Sequence, residues 1–364
     1  MAGTISRPRG VVSVFAVLMM VGLLLCVGLA MNVGHLFSVR GELHNASDAG
    51  ALGGAQDLNG TSGQLSVASA AGETYAEKHY TDLSGSDRTQ VQATPGSDVR
   101  LGFWDPFGSG YAFTAIDPST LDAATSKAYA GCIRLRDDQG QPACINAVSV
   151  RAIRDATHSG GVGTFFASLF SLQRANVGTE SVASSGGPCE WPCLQLPVAL
   201  SNCAFMSDVS CQGNRNFTIK FKSDPTDSAG WTTLDDNARG DNYIKTLLNT
   251  LNGAPQGCAE QNVLASQDIW ISNGNLANLC TILQQVVSKQ NTFAVPVVDA
   301  GPCANPKFNQ VLPIVGFAKI QITNVVCNNP IHADAILLCE TFQPTGKIGC
   351  GFFGVSPARP QLVF

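Results

Sequence analysis

The chain has 364 residues, a length that corresponds to about two domains of ordinary size. Charged residues make up 13% of it, about half the share of roughly 25% that is usual in globular proteins. Hydrophobic residues make up 45%, which is enough to build a core. The formal net charge of −5 excludes the strong positive charge that draws proteins to nucleic-acid phosphates, so we expect no nucleic-acid partner.

Residues 10–34 form an uninterrupted run without a charged side chain. About 20 apolar residues suffice for a helix to span a bilayer, so this run predicts a transmembrane helix. Arg7 and Arg9 precede the run and no acidic residue does, so the positive-inside rule predicts a cytoplasmic tail of residues 1–9 and an exported remainder. The alternative is a signal peptide that is cleaved near Ala30, although its apolar region would be longer than usual.

The apolar helix is predicted to continue outside the membrane through residues 35–60. Apolar side chains recur there at a spacing of seven residues and become small toward the end, a pattern that favours close packing of a helix or a sheet. This seam consists of Leu36, Val39, Leu43, Ala46, Ala49, Gly50 and Gly53. Each glycine weakens an isolated helix by about 1 kcal/mol relative to alanine, so the helix needs a partner. The partner is either the chain's own exported region or a neighbouring subunit, a second copy of the chain included.

The exported region mixes helix and strand patterns, which predicts an α+β fold. Three segments favour helices: 66–80, 244–251 and 276–287. Five segments alternate in hydropathy and predict half-buried strands: 99–104, 147–153, 217–221, 292–298 and 317–325. The stretch Ser-Ser-Gly-Gly-Pro at 184–188 predicts a boundary between an α+β region, residues 61–187, and a cysteine-rich, β-containing region, residues 188–364.

Of the thirteen cysteines, one lies in the apolar run and twelve follow it. An even number of exported cysteines predicts disulfides, which persist in oxidising compartments, and so agrees with an exported ectodomain. The candidates are Cys132, Cys144, Cys189, Cys193, Cys203, Cys211, Cys258, Cys280, Cys303, Cys327, Cys339 and Cys350. Cys132 and Cys144 are expected to close a loop, and Cys189 and Cys193 indicate a tight turn or crossed pairing. The remaining connectivity cannot be derived from spacing alone.

No motif for catalysis is found. The chain lacks a G-x-S-x-G elbow, an H-E-x-x-H zinc motif and a P-loop, and His158 is isolated in sequence, so neither an enzyme nor a cofactor is predicted. Weak calcium candidates are Asp235, Asn237 and Asp241, which supply oxygen ligands in a short loop. The loop lacks the closing glutamate of an EF-hand, so a solvated loop is the favoured interpretation.

The N-terminal region resembles TadG-like proteins of the tight-adherence (Flp) pilus machinery. Residues 9–10 match the basic residue and glycine before that family's apolar helix, and residues 32–34 match its V-D-V-G-like exit except that Asn32 replaces Asp. Residues 43–55, LHNASDAGALGGA, match its L-Q-x-A-A-D-A-A-A-L-A-G-A-like run, with Asp48 at the conserved-looking acidic position of that run. The family's strands are matched more weakly further on.

The resemblance implies a bacterial, single-pass protein of the inner or cytoplasmic membrane, with its C-terminal region periplasmic or extracellular. It implies a pilin-like α+β ectodomain that supports assembly or anchoring of a Flp-type pilus through contacts with other pilus-assembly or envelope proteins. A processed pilin is not expected, because a cut after Gly10 would place Phe15 where pilins carry glutamate. A secreted or surface adhesin, and an exported enzyme of unrecognised type, are the two alternatives.

Overall fold

The structure is a computed structural model that is α+β, as predicted. It describes residues 9–58, 64–82, 88–108, 113–117, 145–166, 173–205, 215–220, 229–254, 257–272, 277–300, 308, 310–328, 331–342, 346–357 and 359–364. Its helices are α1 (Arg9–Gln56), α2 (Gln64–Glu77), α3 (Asp241–Gly253) and α4 (Ala277–Lys289), and a 3-10 turn spans Asn202–Phe205. Each of the three helices predicted in the exported region is therefore present, with its ends displaced by one to three residues.

The described strands range from 2 residues to the 17 residues of β17. They are β1 (Tyr80–Thr81), β2 (Thr89–Gln90), β3 (Val99–Trp104), β4 (Phe113–Ala115), β5 (Ala147–Arg154), β6 (Val162–Gly163), β7 (Arg174–Ala175), β8 (Val177–Ser184), β9 (Gly187–Pro188), β10 (Glu190–Leu194), β11 (Val198–Ser201), β12 (Arg215–Lys220), β13 (Ala229–Thr232), β14 (Glu260–Leu264), β15 (Asp268–Ser272), β16 (Thr292–Val298), β17 (Gln310–Val326), β18 (His332–Leu337), β19 (Glu340–Phe342), β20 (Ile348–Phe352), β21 (Val355–Pro357) and β22 (Gln361–Leu362).

The first sheet has the antiparallel order β22-β8-β5-β3-β4, and α1 and α2 pack against it. Its core is built from alanines and valines of both layers, with Val99, Val148 and Val150 on the strands and Ala51 and Ala68 on the helices. Such small side chains bring the two layers close together. The edge strand β22 is contributed by the end of the chain. The last strand therefore joins the sheet formed by residues that precede the predicted boundary at 187/188.

The second sheet has the order β12-β18-β17-β15-β13-β11-β16, and the pairing of β16 with β17 closes a ring through β17, β15, β13, β11 and β16. Antiparallel pairing dominates, but β11–β16 and β17–β20 are parallel. The amphipathic helices α3 and α4 bury Ile244, Leu248 and Leu283 against this sheet. This region carries a larger and more aromatic core than the first, including Trp231 and Phe293.

Three disulfides are described in the second region: Cys189–Cys350, Cys193–Cys258 and Cys280–Cys327. Cys189 therefore pairs with Cys350 on β20, and Cys193 pairs with Cys258, which lies just before β14. Cys203 and Cys339 are also disulfide-bonded. The remaining candidates, Cys132, Cys144, Cys211 and Cys303, lie outside the described residues. Cys26 is free and exposed on α1.

The two regions are joined by a buried asparagine. The side-chain amide of Asn146 donates to the carbonyl oxygens of Trp104 at 3.0 Å and Gly349 at 2.7 Å, and its oxygen accepts from the Trp104 amide at 2.7 Å. Gly349 has a φ of 105°, a conformation that side chains rarely adopt, so a glycine is required at this contact. This hydrogen-bond set holds β20 of the second sheet against the first.

Candidate membrane anchor and helix-packing interface

The helix α1 is continuous for 48 residues, or about 72 Å at 1.5 Å per residue. Its first half is exposed, with large apolar side chains such as Phe15 and Leu24 bare on its surface. One face of its second half is buried from Val39 onward. It is the one helix among the described residues that is long and apolar enough to cross a membrane. A single N-terminal apolar helix of this kind fits a single-pass membrane anchor.

The seam predicted on the second half of α1 faces the chain's own sheet and α2. Val39, Leu43, Ala46 and Gly50 are buried, and Leu36, Ala49 and Gly53 are half-buried. The helix α1 contacts β5 and β8 along this seam. Val39, Leu43 and Ala46 form one cluster with side chains of the strands and of the segment after β2. Of the two partners that the sequence allowed, the chain's own exported region occupies the seam in this structure.

Glycines on α1 permit this packing. A Cβ placed on Gly50 would lie 2.8 Å from the carbonyl oxygen of Gly72 and 3.0 Å from Val150. A Cβ on Gly54 would lie 2.8 Å from the carbonyl oxygen of Ala68 and 2.9 Å from Val148. Both distances are far inside ordinary van der Waals contact, so only glycine lets α2 and the sheet approach this closely. The small-residue run of the sequence therefore serves the fold of the chain itself.

A polar network ties α1 to β8 beside the glycines. The hydroxyl of Ser181 donates to the Asp48 carboxylate at 2.5 Å, and the hydroxyl of Ser47 lies 2.8 Å from that of Ser181. Ser47 and Ser181 are fully buried, and buried hydroxyls are costly unless they are hydrogen-bonded. Asp48, which the resemblance singled out, is therefore a positioning residue between the helix and the sheet.

A second contact lies nearer the N-terminus of α1, where the apolar run ends. Asn32 is 5% exposed, and its side-chain oxygen accepts hydrogen bonds from the backbone amides of Phe165 at 2.8 Å and Phe166 at 3.2 Å. Phe166 lies against Gly28, and the ring of Phe165 lies 5.2 Å from that of His35. The sequence identified Asn32 only as a departure from the family's aspartate and did not predict this partner. The signal available was a polar residue near the end of an apolar run.

An open groove of about 440 Å³ lies along residues 33–40 of α1. It is lined by Val33, Leu36, Phe37 and Arg40 of the helix and by residues 176–178 of the sheet. Arg40 is exposed and supplies its positive charge.

His158 lies between two carboxylates, although the sequence indicated that it was isolated. Its Nε2 is 3.1 Å from Asp98, and its Nδ1 is 2.9 Å from Asp155. The hydrogen bond with Asp155 raises the pKa of His158, and the charge of Asp98 adds to this effect. The same hydrogen bond from His158 holds the pKa of Asp155 well below its usual range. A doubly protonated imidazole donates from both nitrogens, so this arrangement clamps the loop after β5 onto β3.

The calcium candidates and the two N-terminal arginines are the remaining predicted positions, and the described residues show no binding site at them. The Asp235 carboxylate is 2.6 Å from Arg239 and accepts a hydrogen bond from the Asn237 amide, and Asp241 begins α3. No cluster of three metal-ligating side chains occurs in the described part of the chain. Arg7 lies outside the described residues, and Arg9 is the first residue of α1.

Two known protein families match α1 and most of the first sheet. The Flp pilus-assembly TadE/G-like family matches residues 10–57, which is α1, and the Tad-like Flp pilus-assembly family matches residues 53–183, which adds α2 and the strands through β8. The chain is a TadG-like protein. It is therefore a pilus-assembly-related envelope protein, and other envelope or pilus proteins are its expected class of partner.

The two matched segments overlap at residues 53–57, and the second one ends within β8 at residue 183. The second sheet of this TadG-like protein lies beyond both of them, apart from the edge strand β22 that returns to β8. No curated protein and no solved structure matches the chain.

Proposed function

We propose that this TadG-like protein is a non-enzymatic, membrane-anchored component that supports assembly or anchoring of a Flp-type pilus. Its N-terminus lies in the cytoplasm, and its two sheets lie in the periplasm or outside the cell. The observation that carries the proposal is the continuity of α1, whose exposed apolar half and buried half are one uninterrupted helix. No hinge separates the anchor from the domain.

That continuity has a mechanical consequence. A flexible stalk would let the ectodomain rotate freely above the membrane, whereas one helix transmits position and tilt directly to the first sheet. The glycine contacts at Gly50 and Gly54 hold the sheet rigidly on the helix. We propose that this coupling fixes the height and direction at which the ectodomain meets its partners in the envelope.

The proposed orientation rests on two independent features. Arg7 and Arg9 precede the apolar run, and positive residues favour the cytoplasmic side. The disulfides of the second region are typical of an oxidising compartment, which supports the opposite side for that region. Partner contacts, a second copy of this chain included, are proposed for exposed surfaces, since the chain's own sheet covers the buried part of the seam.

The first experiment is the N-terminal sequence and intact mass of the chain recovered from its native envelope without reductant. A start at Met1 or Ala2 in the membrane fraction is expected. A start at Met31 in the soluble fraction would contradict the anchor and favour the secreted adhesin. A start at Val11 would show processing by a prepilin peptidase and make the chain a pilin-like subunit.

The pilus role is tested by deletion and complementation. Loss of surface pili on deletion, restored by the wild-type chain, is expected. A flexible glycine-serine insert after Phe37 should fail to restore pili although the chain still fractionates with membranes, because the insert breaks the rigid coupling. An insert of equal length that continues the helix by whole turns is the control. Normal pili with the flexible insert would overturn the coupling, and normal pili after deletion would overturn the pilus role.

A further inference from the structure

Two exposed phenylalanines lie beside the apolar half of α1. Phe165 is 64% exposed and Phe166 is 42% exposed, although both are large and apolar. They follow β6 and lie far along the chain from α1, yet the Asn32 side chain holds their backbone against it. The pair therefore projects apolar surface from the ectodomain next to the anchor.

The depth of this pair follows from its contact with Gly28. A Cβ placed on Gly28 would lie only 2.7 Å from Cγ of Phe166, so the ring touches the helix backbone there. A helix spans the hydrocarbon core with about 20 residues, and every window of that length within residues 10–34 contains Gly28. Wherever the bilayer lies along the apolar run, Phe166 is at the level of the spanning segment.

The backbone amides of Phe165 and Phe166 are hydrogen-bonded within the protein, as an apolar surrounding requires. An amide that enters a bilayer must be hydrogen-bonded within the protein, because no water is available there. Asn32 accepts from the amides of both phenylalanines through one side-chain oxygen, and it is itself buried and uncharged. A neutral acceptor at this depth avoids the cost of burying a carboxylate.

We propose that Phe165 and Phe166 form a second membrane contact, inserted into the acyl region of the outer face of the bilayer that α1 spans. The inference rests on the proposed membrane anchor and deepens it. The continuous helix fixes the ectodomain relative to the anchor, but the helix and the ectodomain can still turn together about the helix axis. A second apolar contact, held to α1 by Asn32, fixes which face of the first sheet is turned toward the membrane.

The occupant is lipid because the segment is continuous with a lipid-facing surface. The side chains of α1 next to it, such as Leu25 and Leu29, are exposed and apolar. Aromatic rings are common at the boundary between acyl chains and headgroups. A helix from another protein is the competing occupant, and the experiment below separates the two.

The test uses the full chain in vesicles of palmitoyl-oleoyl phosphatidylglycerol with dibrominated phosphatidylcholine, in which bromines on the acyl chains quench nearby tryptophan. The Phe165→Trp variant is compared with the wild type, whose native tryptophans give the background. Val67→Trp is the matched control, since Val67 is exposed on α2. The neighbouring residue Ala68 contacts Gly54, which lies about 39 Å along α1 from Gly28. Val67 is therefore far from the proposed lipid contact.

We expect brominated lipid to remove most of the fluorescence that Phe165→Trp adds and little of that added by Val67→Trp. Equal quenching of the two variants, with the chain still resistant to carbonate extraction, would overturn the second contact and leave the anchor intact. Extraction of the chain by carbonate would overturn the anchor and this inference together. The two failures are therefore distinguishable.

A measurement on the unmodified chain guards against a misfolded variant. Wild-type protein is reconstituted with a lipid that carries a photoactivatable group on its acyl chain, and cross-linked peptides are identified by mass spectrometry. Adducts on a peptide that contains residues 164–166, in addition to those on α1, are expected. Lipid adducts confined to α1, or cross-links from this peptide to another protein in native membranes without any lipid adduct, would overturn the proposal.

Discussion

The two sheet regions of this protein are held together by different means. The first, formed by α1, α2 and β3, β4, β5 and β8, relies on glycines and alanines that bring helix and sheet into close contact, and its described part contains no disulfide. The second, centred on β17, has a core of larger side chains and is cross-linked by disulfides. Among the described residues, close fit joins α1 to the first sheet, and disulfides cross-link the second region.

The difference follows from what each region must accommodate. The helix α1 meets the first sheet through small residues and a few buried hydroxyls, which let the two layers approach closely. The second region has no such helix, and its chain returns repeatedly to the long strand β17. Disulfides restrict the unfolded chain most when they close long loops, which suits this topology.

The largest expected effect is loss of a disulfide in the second region. Cys280–Cys327 closes a loop with a sequence separation of 47, for which chain entropy predicts about 4 kcal/mol of stability. The double variant Cys280→Ala/Cys327→Ala should lower the denaturant midpoint of the second region while leaving hydrogen exchange in α2 and β5 unchanged. Equal loss of protection in both regions would show that they unfold as one unit and would break the comparison.

The next effect is overpacking in the first region. Gly50→Ala places a methyl group 2.8 Å from the Gly72 carbonyl oxygen, and we expect a net loss of about 1–2 kcal/mol after the gain in helix propensity. Gly41→Ala is the matched control on the same helix, where nothing lies within 4 Å, so it should stabilise. Thermal unfolding in detergent measures both. A stabilising Gly50→Ala would mean that the glycine contact is not required.

A similar or smaller effect is expected at Asn32. Asn32→Leu leaves the amides of Phe165 and Phe166 without their acceptor, at a cost of about 1–3 kcal/mol for an unsatisfied buried group. Peptides that contain residues 164–166 should exchange amide hydrogen faster, and α2 should not. Asn32→Asp keeps an accepting oxygen but buries a carboxylate, so it should retain only part of the protection. Unchanged exchange in Asn32→Leu would contradict the role of this side chain in holding the segment.

The smallest effect is a pH dependence confined to the first region. The folded state raises the pKa of His158 above its ordinary value of 6.5, so the stability contributed by the protonated imidazole is fully present below pH 6.5. It is lost as the pH rises through the higher pKa of the folded state. Hydrogen exchange near Asp98 should therefore accelerate at alkaline pH in the wild type, beyond the intrinsic rate, and His158→Gln should remove that excess. The same excess in His158→Gln would assign it to another group.

Several helices and strands could be predicted from the sequence because they depend on patterns among neighbouring residues. The charge-free run predicted the apolar helix, and strict alternation predicted β3 and β16 at the residues observed. The pattern at 276–287 likewise predicted α4 within two residues at each end. The partner of Asn32 and the contact of His158 with Asp98 could not be predicted, because each joins residues far apart in the chain and no periodicity connects them.

By itself, the sequence determined an α+β chain with one apolar N-terminal helix and a TadG-like first half, because hydropathy, periodicity and a contiguous motif are properties of neighbouring residues. It also indicated that the small-residue seam needs a partner. Only the tertiary structure decided that this partner is the chain's own sheet, that Cys189 pairs with Cys350 and Cys193 with Cys258, and that β22 returns to the first sheet. Those outcomes depend on which distant surfaces fit together, and spacing along the chain does not contain that information.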